Sequence, residues 1–244
     1  MSNSARSTQS LIDELVRTTG AASPAEAIRI KARELLDTYK AAFGDPAMPI
    51  DVNVLASLRS IRRSDERPFH SPDAELSPDG AGGVTMRVNP DRPETRQRFS
   101  IAHEISHTFF PNYTEKEWCR TDARYRSREN PDEHLEMLCD IGAAELLFAE
   151  PWFSQHAAGV TNAAELAALA ATYRGSREAT LRRFAEVSAD AIAAVYFIWK
   201  LKPTQQGTIG NKNQPNLFGI SPEEERREAL RLRIEYSVAS EPFR

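Results

Sequence analysis

Two cysteines in 244 residues, Cys119 and Cys139, are too few for a disulfide framework, so the composition fits a reducing compartment. No run approaches the roughly 18–20 uninterrupted apolar residues of a membrane-crossing helix. The opening residues Met1 to Ser10 are polar where a secretory signal would be apolar. A cytoplasmic location with no membrane partner is therefore expected. Excess charge is missing too. Lysine and arginine number 31 against 35 acids, a net −4, which excludes a broadly basic surface for wrapping duplex DNA but leaves room for a local basic groove. No repeat of 20 to 50 residues is present, which excludes solenoids and propellers, and no clear helix-turn-helix pattern is found. What remains, 41 % apolar and 27 % charged residues, is an ordinary globular composition, enough for one large domain or one domain with an extension.

Periodicity places the elements. Leu11 and Leu15, then residues 25–39, read as two amphipathic helices, with Ser23-Pro24 as the cap and first turn of the second. Residues 50–58 read as a short helix, 59–63 as a basic strand and 64–80 as a polar loop ending in the turn signal Ser77-Pro78-Asp79-Gly80. Val84, Met86 and Val88 alternate with Thr85 and Arg87, a half-buried strand. A helix follows, started by Pro93, running through Phe109 and stopped by Pro111. Residues 112–129 are charged and aromatic without a period. Asn130-Pro131-Asp132-Glu133 starts another helix, to about Phe148, with a stripe of Leu135, Leu138, Cys139, Gly142 and Leu146. Helices at 162–173 and 176–186, a buried strand at 191–200, a linker at 203–215 and a strand alternating from Leu230 to Val238 complete the chain.

The chemistry lies in the first long helix after the alternating strand. His103-Glu104-Ile105-Ser106-His107 is HExxH, and residues four apart share one helical face, so both imidazoles can meet one ion. Zinc binds imidazole readily and needs a third protein ligand while keeping one position open. Glu104 beside His103 is placed to take a proton from water. Spacing leaves the third ligand among Glu115, Glu117, Glu129, Glu133, His134, Glu136, Asp140 and Glu145. Glu136 is the best placed, in the first turns of the next helix, which can pack beside the first.

The run Arg98-Phe99-Ser100-Ile101-Ala102-His103-Glu104-Ile105-Ser106-His107 resembles the ImmA/IrrE family of metallopeptidases, whose helix reads RFTLAHELGH. The run from Glu136 to Leu147 resembles that family's ExEANxFAAELLMP, and the family's third ligand then falls on Glu136. Met48 to Val52 is similar to its PVDV segment, and Ser176 to Phe184 to its VSxxAxxxRF helix. The similarity covers roughly residues 45–198. Cys139-Asp140 replaces Ala-Asn, Gly142 replaces Phe and Phe148-Ala149 replaces Met-Pro, changes that touch packing more than ligation. The resemblance implies an α+β fold: a mainly helical zincin-like domain with a small antiparallel sheet. It is expected over residues 45–188, between N-terminal helices (1–44) and a C-terminal extension of strands and linker (189–244) that could serve as a partner platform.

It also implies an activity. One zinc ion, favoured over manganese by a His2Glu set, would sit on His103, His107 and Glu136, with Glu104 as general base. A second oxyanion donor is open among Tyr113, Tyr125 and His134, and a substrate peptide is expected to add to the edge of the strand at 84–88. Family members cleave a helix-turn-helix repressor to induce stress or phage-defence genes, so a separately encoded repressor is the expected substrate. Defence-associated members in CBASS operons, the CapP-like branch, use a cysteine switch released by single-stranded DNA. Cys119, 12 residues past His107, is the candidate inhibitory ligand. Around it Trp118, Arg120, Arg124, Tyr125, Arg126 and Arg128 combine rings and cations as a single-strand site does. Cys139, on the apolar stripe, reads as a small core residue. A zinc-binding regulator that acts by DNA or protein contacts without hydrolysis is the alternative. The intact Glu104 weighs against it, since a pure binding site needs no base.

Overall fold

Helix starts follow the capping chemistry written in the sequence. Ser23 accepts from the Glu26 amide and Pro24 opens α2 (Pro24–Phe43), which follows α1 (Asn3–Thr19). Asp51 caps α3 (Val52–Leu58) in the same way. The computed structural model describes residues 3–67, 72–115, 118–120, 129–205 and 221–244; the side chains of residues 3–7, 119, 120 and 222 lie outside that description. By contact the chain divides into two compact units, residues 1–183 and 184–244.

In the first unit, α3 leads into β1 (Ile61–Ser64), β2 (Ala74–Pro78) and β3 (Val84–Val88), then α4 (Glu94–His107), β4 (Trp118–Arg120), α5 (Pro131–Leu147), α6 (Trp152–Ala157) and α7 (Ala163–Tyr173). The strands form one mainly antiparallel sheet in the order β1-β3-β2-β4, with β1 joining β3 in parallel. The hairpin between β2 and β3 turns on Asp79, whose carboxylate accepts from the amides of Ala81 and Gly83, and on Gly80 and Gly82, both at positive φ.

Two expectations about this sheet give way. The segment at 64–80 is not all loop. Its residues 74–78 form β2, whose buried Ser77 and Glu75 look like loop residues in sequence, but Ser77 donates to Glu75, which also accepts from Arg87. And β3 is an interior strand, flanked by β1 and β2, so it offers no edge to a peptide. Among the described residues the outer strands are β1 and β4.

The helices supply the core. Ile12 and Leu15 of α1, Ile28, Leu35 and Leu36 of α2, and Leu135, Leu138 and Leu146 of α5 are buried, with the Phe148, Phe153 and Tyr173 rings packed at the far end of α5. Glu145, buried on α5, is held by Arg29 and by both terminal nitrogens of Arg183. A buried carboxylate is tolerable only when paired in this way.

The helix α8 (Arg177–Val187) spans the boundary between the units. In the second unit β5 (Ala193–Lys200) pairs antiparallel with β6 (Arg231–Ala239), after α9 (Pro222–Ala229). Ser221 and Glu224 form a reciprocal capping box on α9, an S-x-x-E signal that the reading of this region as linker and strand passed over. Residues 191–200, expected as a buried strand, instead alternate between exposed and half-buried, since a two-stranded sheet leaves a face uncovered. A register shift near Tyr196 and Phe197 pairs Ile234 with Phe197 but Tyr236 with Tyr196. The bulge therefore splits the single apolar face expected of β6. Leu232 and Ile234 lie exposed with Phe197 and Trp199, while Tyr236 and Tyr196 stack on the other face.

Candidate metal centre

Helix α4 is buried on nearly every side from Ser100 to His107, although most of that run is polar. His103, Glu104, Ser106 and His107 have no exposed surface. Sinking such groups is costly without partners; Ser106 donates to the Ala102 carbonyl, and the partners of the two histidines come from α5. Asn130 caps α5 through the Asp132 amide and Pro131 fills its first position, which sets its start as the sequence indicates. One to three turns on, Glu136, Cys139 and Asp140, spaced i, i+3 and i+4, share the face turned to α4.

The contacts are ordered. The Nε2 atoms of both histidines meet one carboxylate: His103 Nε2 lies 3.2 Å from Glu136 Oε2 and His107 Nε2 lies 3.4 Å from Glu136 Oε1. The opposite ring nitrogens have other partners. His103 Nδ1 is 2.8 Å from Asp140 Oδ1, and His107 Nδ1 is 3.4 Å from Cys139 Sγ. The imidazoles stand edge to face, centroids 5.0 Å apart. Burial works against a charged His103, but the hydrogen bonds to Asp140 and Glu136 outweigh it and raise its pKa from 6.5 to about 9. The field of the two carboxylates thus favours a cation here.

These residues fit a divalent metal ion. Donor atoms about 2.1 Å from one tetrahedral ion stand about 3.4 Å apart, the spacing of both Nε2 atoms from Glu136. By mutual distance alone, the described donors grouped within 4.8 Å of one another are those of His103, His107 and Cys139. The carboxylate set is the better one. Glu136 faces both rings on the same nitrogen, whereas the sulfur contacts the far nitrogen of one ring. Zinc suits two imidazoles and a carboxylate. The side chain of Glu136 is 24 % exposed against 0 % for the histidines, so solvent reaches the centre on that side.

The close approach of the helices depends on a missing side chain. A Cβ on Gly142 would stand 2.5 Å from Ser106 Oγ and 2.9 Å from its Cβ. Ser106 is wholly buried and bonded to the Ala102 carbonyl, so it has nowhere to move. Gly142→Ala is expected to lower stability by about 1–3 kcal/mol, read as a lower urea midpoint. It should also weaken metal binding, because α5 carries Glu136.

Of the other residues singled out by sequence, Trp118 is placed most differently from expectation. Its ring is buried, stacks on His107 with centroids 4.4 Å apart, and donates from Nε1 to the Tyr113 carbonyl. That ring, expected to stack on bases, packs on the histidine instead. Cys119 and Arg120 follow it in β4, with Cys119 in register opposite Glu75. Arg124, Tyr125, Arg126 and Arg128 lie outside the described residues, as does Glu117. Glu115 and Glu129 are exposed, and Glu145 belongs to the arginine network of α5. Tyr113 sits under the Arg59 guanidinium, and His134 is half-buried on α5. Sequence reasoning treated Cys139 as core and Asp140 as one more ligand candidate. Their positions three and four residues past Glu136 were the available signal that they share its face.

The family model for peptidase family M78, described as the IrrE N-terminal-like domain, matches residues 60–185 and so takes in both α4 and α5. No curated protein matches the chain.

Proposed function

The chain belongs to peptidase family M78, the IrrE N-terminal-like metallopeptidases, and on that premise we propose that it is a zinc-dependent endopeptidase acting on a helix-turn-helix repressor. The observation that carries the reading is the meeting of the Nε2 atoms of His103 and His107, on the helix that also bears Glu104, at the carboxylate of Glu136 on α5. His103, His107 and Glu136 would hold the ion. When bound, zinc makes water acidic enough to lose a proton near neutral pH and polarises a carbonyl.

Glu104 has the proton work. Its carboxylate takes the proton of the attacking water and returns it to the nitrogen of the leaving amine. Its complete burial keeps bulk water from competing for that proton. The substrate strand adds beside β4, the outer strand whose Trp118 stacks on His107, by main-chain pairing. That corrects the expectation of pairing at β3.

We also propose a latent state in which Cys119 takes the ion's remaining position. Single-stranded DNA drawn to Arg120, Arg124, Tyr125, Arg126 and Arg128 would release it. The induced genes would then serve stress response or phage defence. The test is incubation of the zinc-loaded full chain with a repressor encoded beside it, with and without a single-stranded oligonucleotide. A discrete repressor fragment, formed faster with the oligonucleotide, is expected. An intact repressor in both arms would overturn the peptidase reading. Equal cleavage in both would remove the DNA switch alone.

A further inference from the structure

We propose that Asp140 and Cys139 are positioning residues, each engaging the Nδ1 of one histidine so that its Nε2 is presented to the ion. The inference rests on the metal-centre reading above and adds to it a division of labour. A histidine that ligates through Nε2 carries its remaining proton on Nδ1, and that N–H needs an acceptor to set both tautomer and ring angle. The structure places an acceptor at each: the Asp140 carboxylate at 2.8 Å from His103 and the Cys139 sulfur at 3.4 Å from His107.

The two acceptors differ in chemistry. A carboxylate accepts strongly and adds negative charge, which makes the imidazole a better donor to a cation. A thiol sulfur accepts weakly and is neutral. His107 has a second constraint that His103 does not share, the stacked Trp118 ring. The ring whose Nδ1 faces the sulfur is thus the one that also stacks on Trp118. The centre is asymmetric: His103 is tuned by charge and His107 is held by shape.

Geometry gives the arrangement a simple origin. Asp140 and Cys139 are adjacent on α5, one turn beyond Glu136, and the histidines are one turn apart on α4. Two helices packed at the distance that Gly142 permits bring all three α5 side chains against both rings.

Zinc affinity, measured by competition with a chromophoric chelator, separates the roles without any substrate. Asp140→Ala should weaken binding about 10–100-fold, and Asp140→Asn, which keeps an acceptor but not the charge, should recover part of that loss. Cys139→Ala should cost less than Asp140→Ala. In the cobalt(II)-loaded protein, Asp140→Ala should alter the visible ligand-field bands, while Cys139→Ala should leave any sulfur-to-cobalt charge-transfer band unchanged, because the Cys139 sulfur engages Nδ1 of His107 and not the ion. Unchanged affinity and spectrum in Asp140→Ala would overturn the proposal. So would a strong sulfur charge-transfer band lost on Cys139→Ala, since Cys139 would then be a ligand. A wild-type chain that takes up neither metal would instead remove the reading of the centre itself.

Discussion

Glu104→Gln should lower hydrolysis of the proposed repressor substrate by about 10²–10⁴-fold, the usual contribution of one general acid–base group. The reasons are local. Glu104 is wholly buried on α4, beside His103. Glutamine keeps the size and the hydrogen-bonding oxygen but cannot take a proton from water. Zinc content and thermal midpoint should stay close to wild type, which separates a lost base from a lost fold. The measurement is a single-turnover time course on equal, zinc-loaded samples. Retained activity in Glu104→Gln would mean that another group handles the proton.

The second large effect is expected at Glu136. Glu136→Ala removes one of the three proposed ligands, so zinc affinity should fall well beyond the roughly 10–100-fold assigned to an outer partner. Stability reports it too. An ion that binds only the folded state at 1,000 times its dissociation constant contributes about 4 kcal/mol. Wild-type protein should therefore gain a higher thermal midpoint when zinc is added, and Glu136→Ala should gain almost none at the same zinc concentration. Cys139→Ala should keep most of the gain. The reverse order, with Cys139→Ala losing the zinc response and Glu136→Ala keeping it, would move the third ligand to the thiol.

Much of this centre was legible because helices write their chemistry locally. HExxH fixes two rings on one face by the 3.6-residue turn alone, and Asn130-Pro131 sets the phase of α5, so Glu136 lands one turn inside it. The end of α4 was read two residues long, because Thr108 to Phe110 continue in tighter turns after His107. The sheet was harder. β2 hides two buried polar residues, Ser77 bonded to Glu75 and Glu75 to Arg87 on another strand, so its sequence resembles a loop. β4 has only three residues, too few for any alternation to register. The place of β3 between β1 and β2 depends on long-range pairing, which no local pattern carries. The same holds for Trp118. Its neighbours Arg120 and Arg124 suggested a solvent-facing site, whereas the stack on His107 follows from where β2 carries β4. The bulge in β6 is likewise invisible in a sequence that alternates without a break.

Anomalous scattering at the zinc edge from crystals of the full chain tests the central claim most directly. The expected result is one peak, about 2.0–2.2 Å from His103 Nε2, His107 Nε2 and an oxygen of Glu136, with Cys139 beyond bonding distance. A peak bonded to the Cys139 sulfur in place of Glu136, or none at all from zinc-loaded protein, would contradict it.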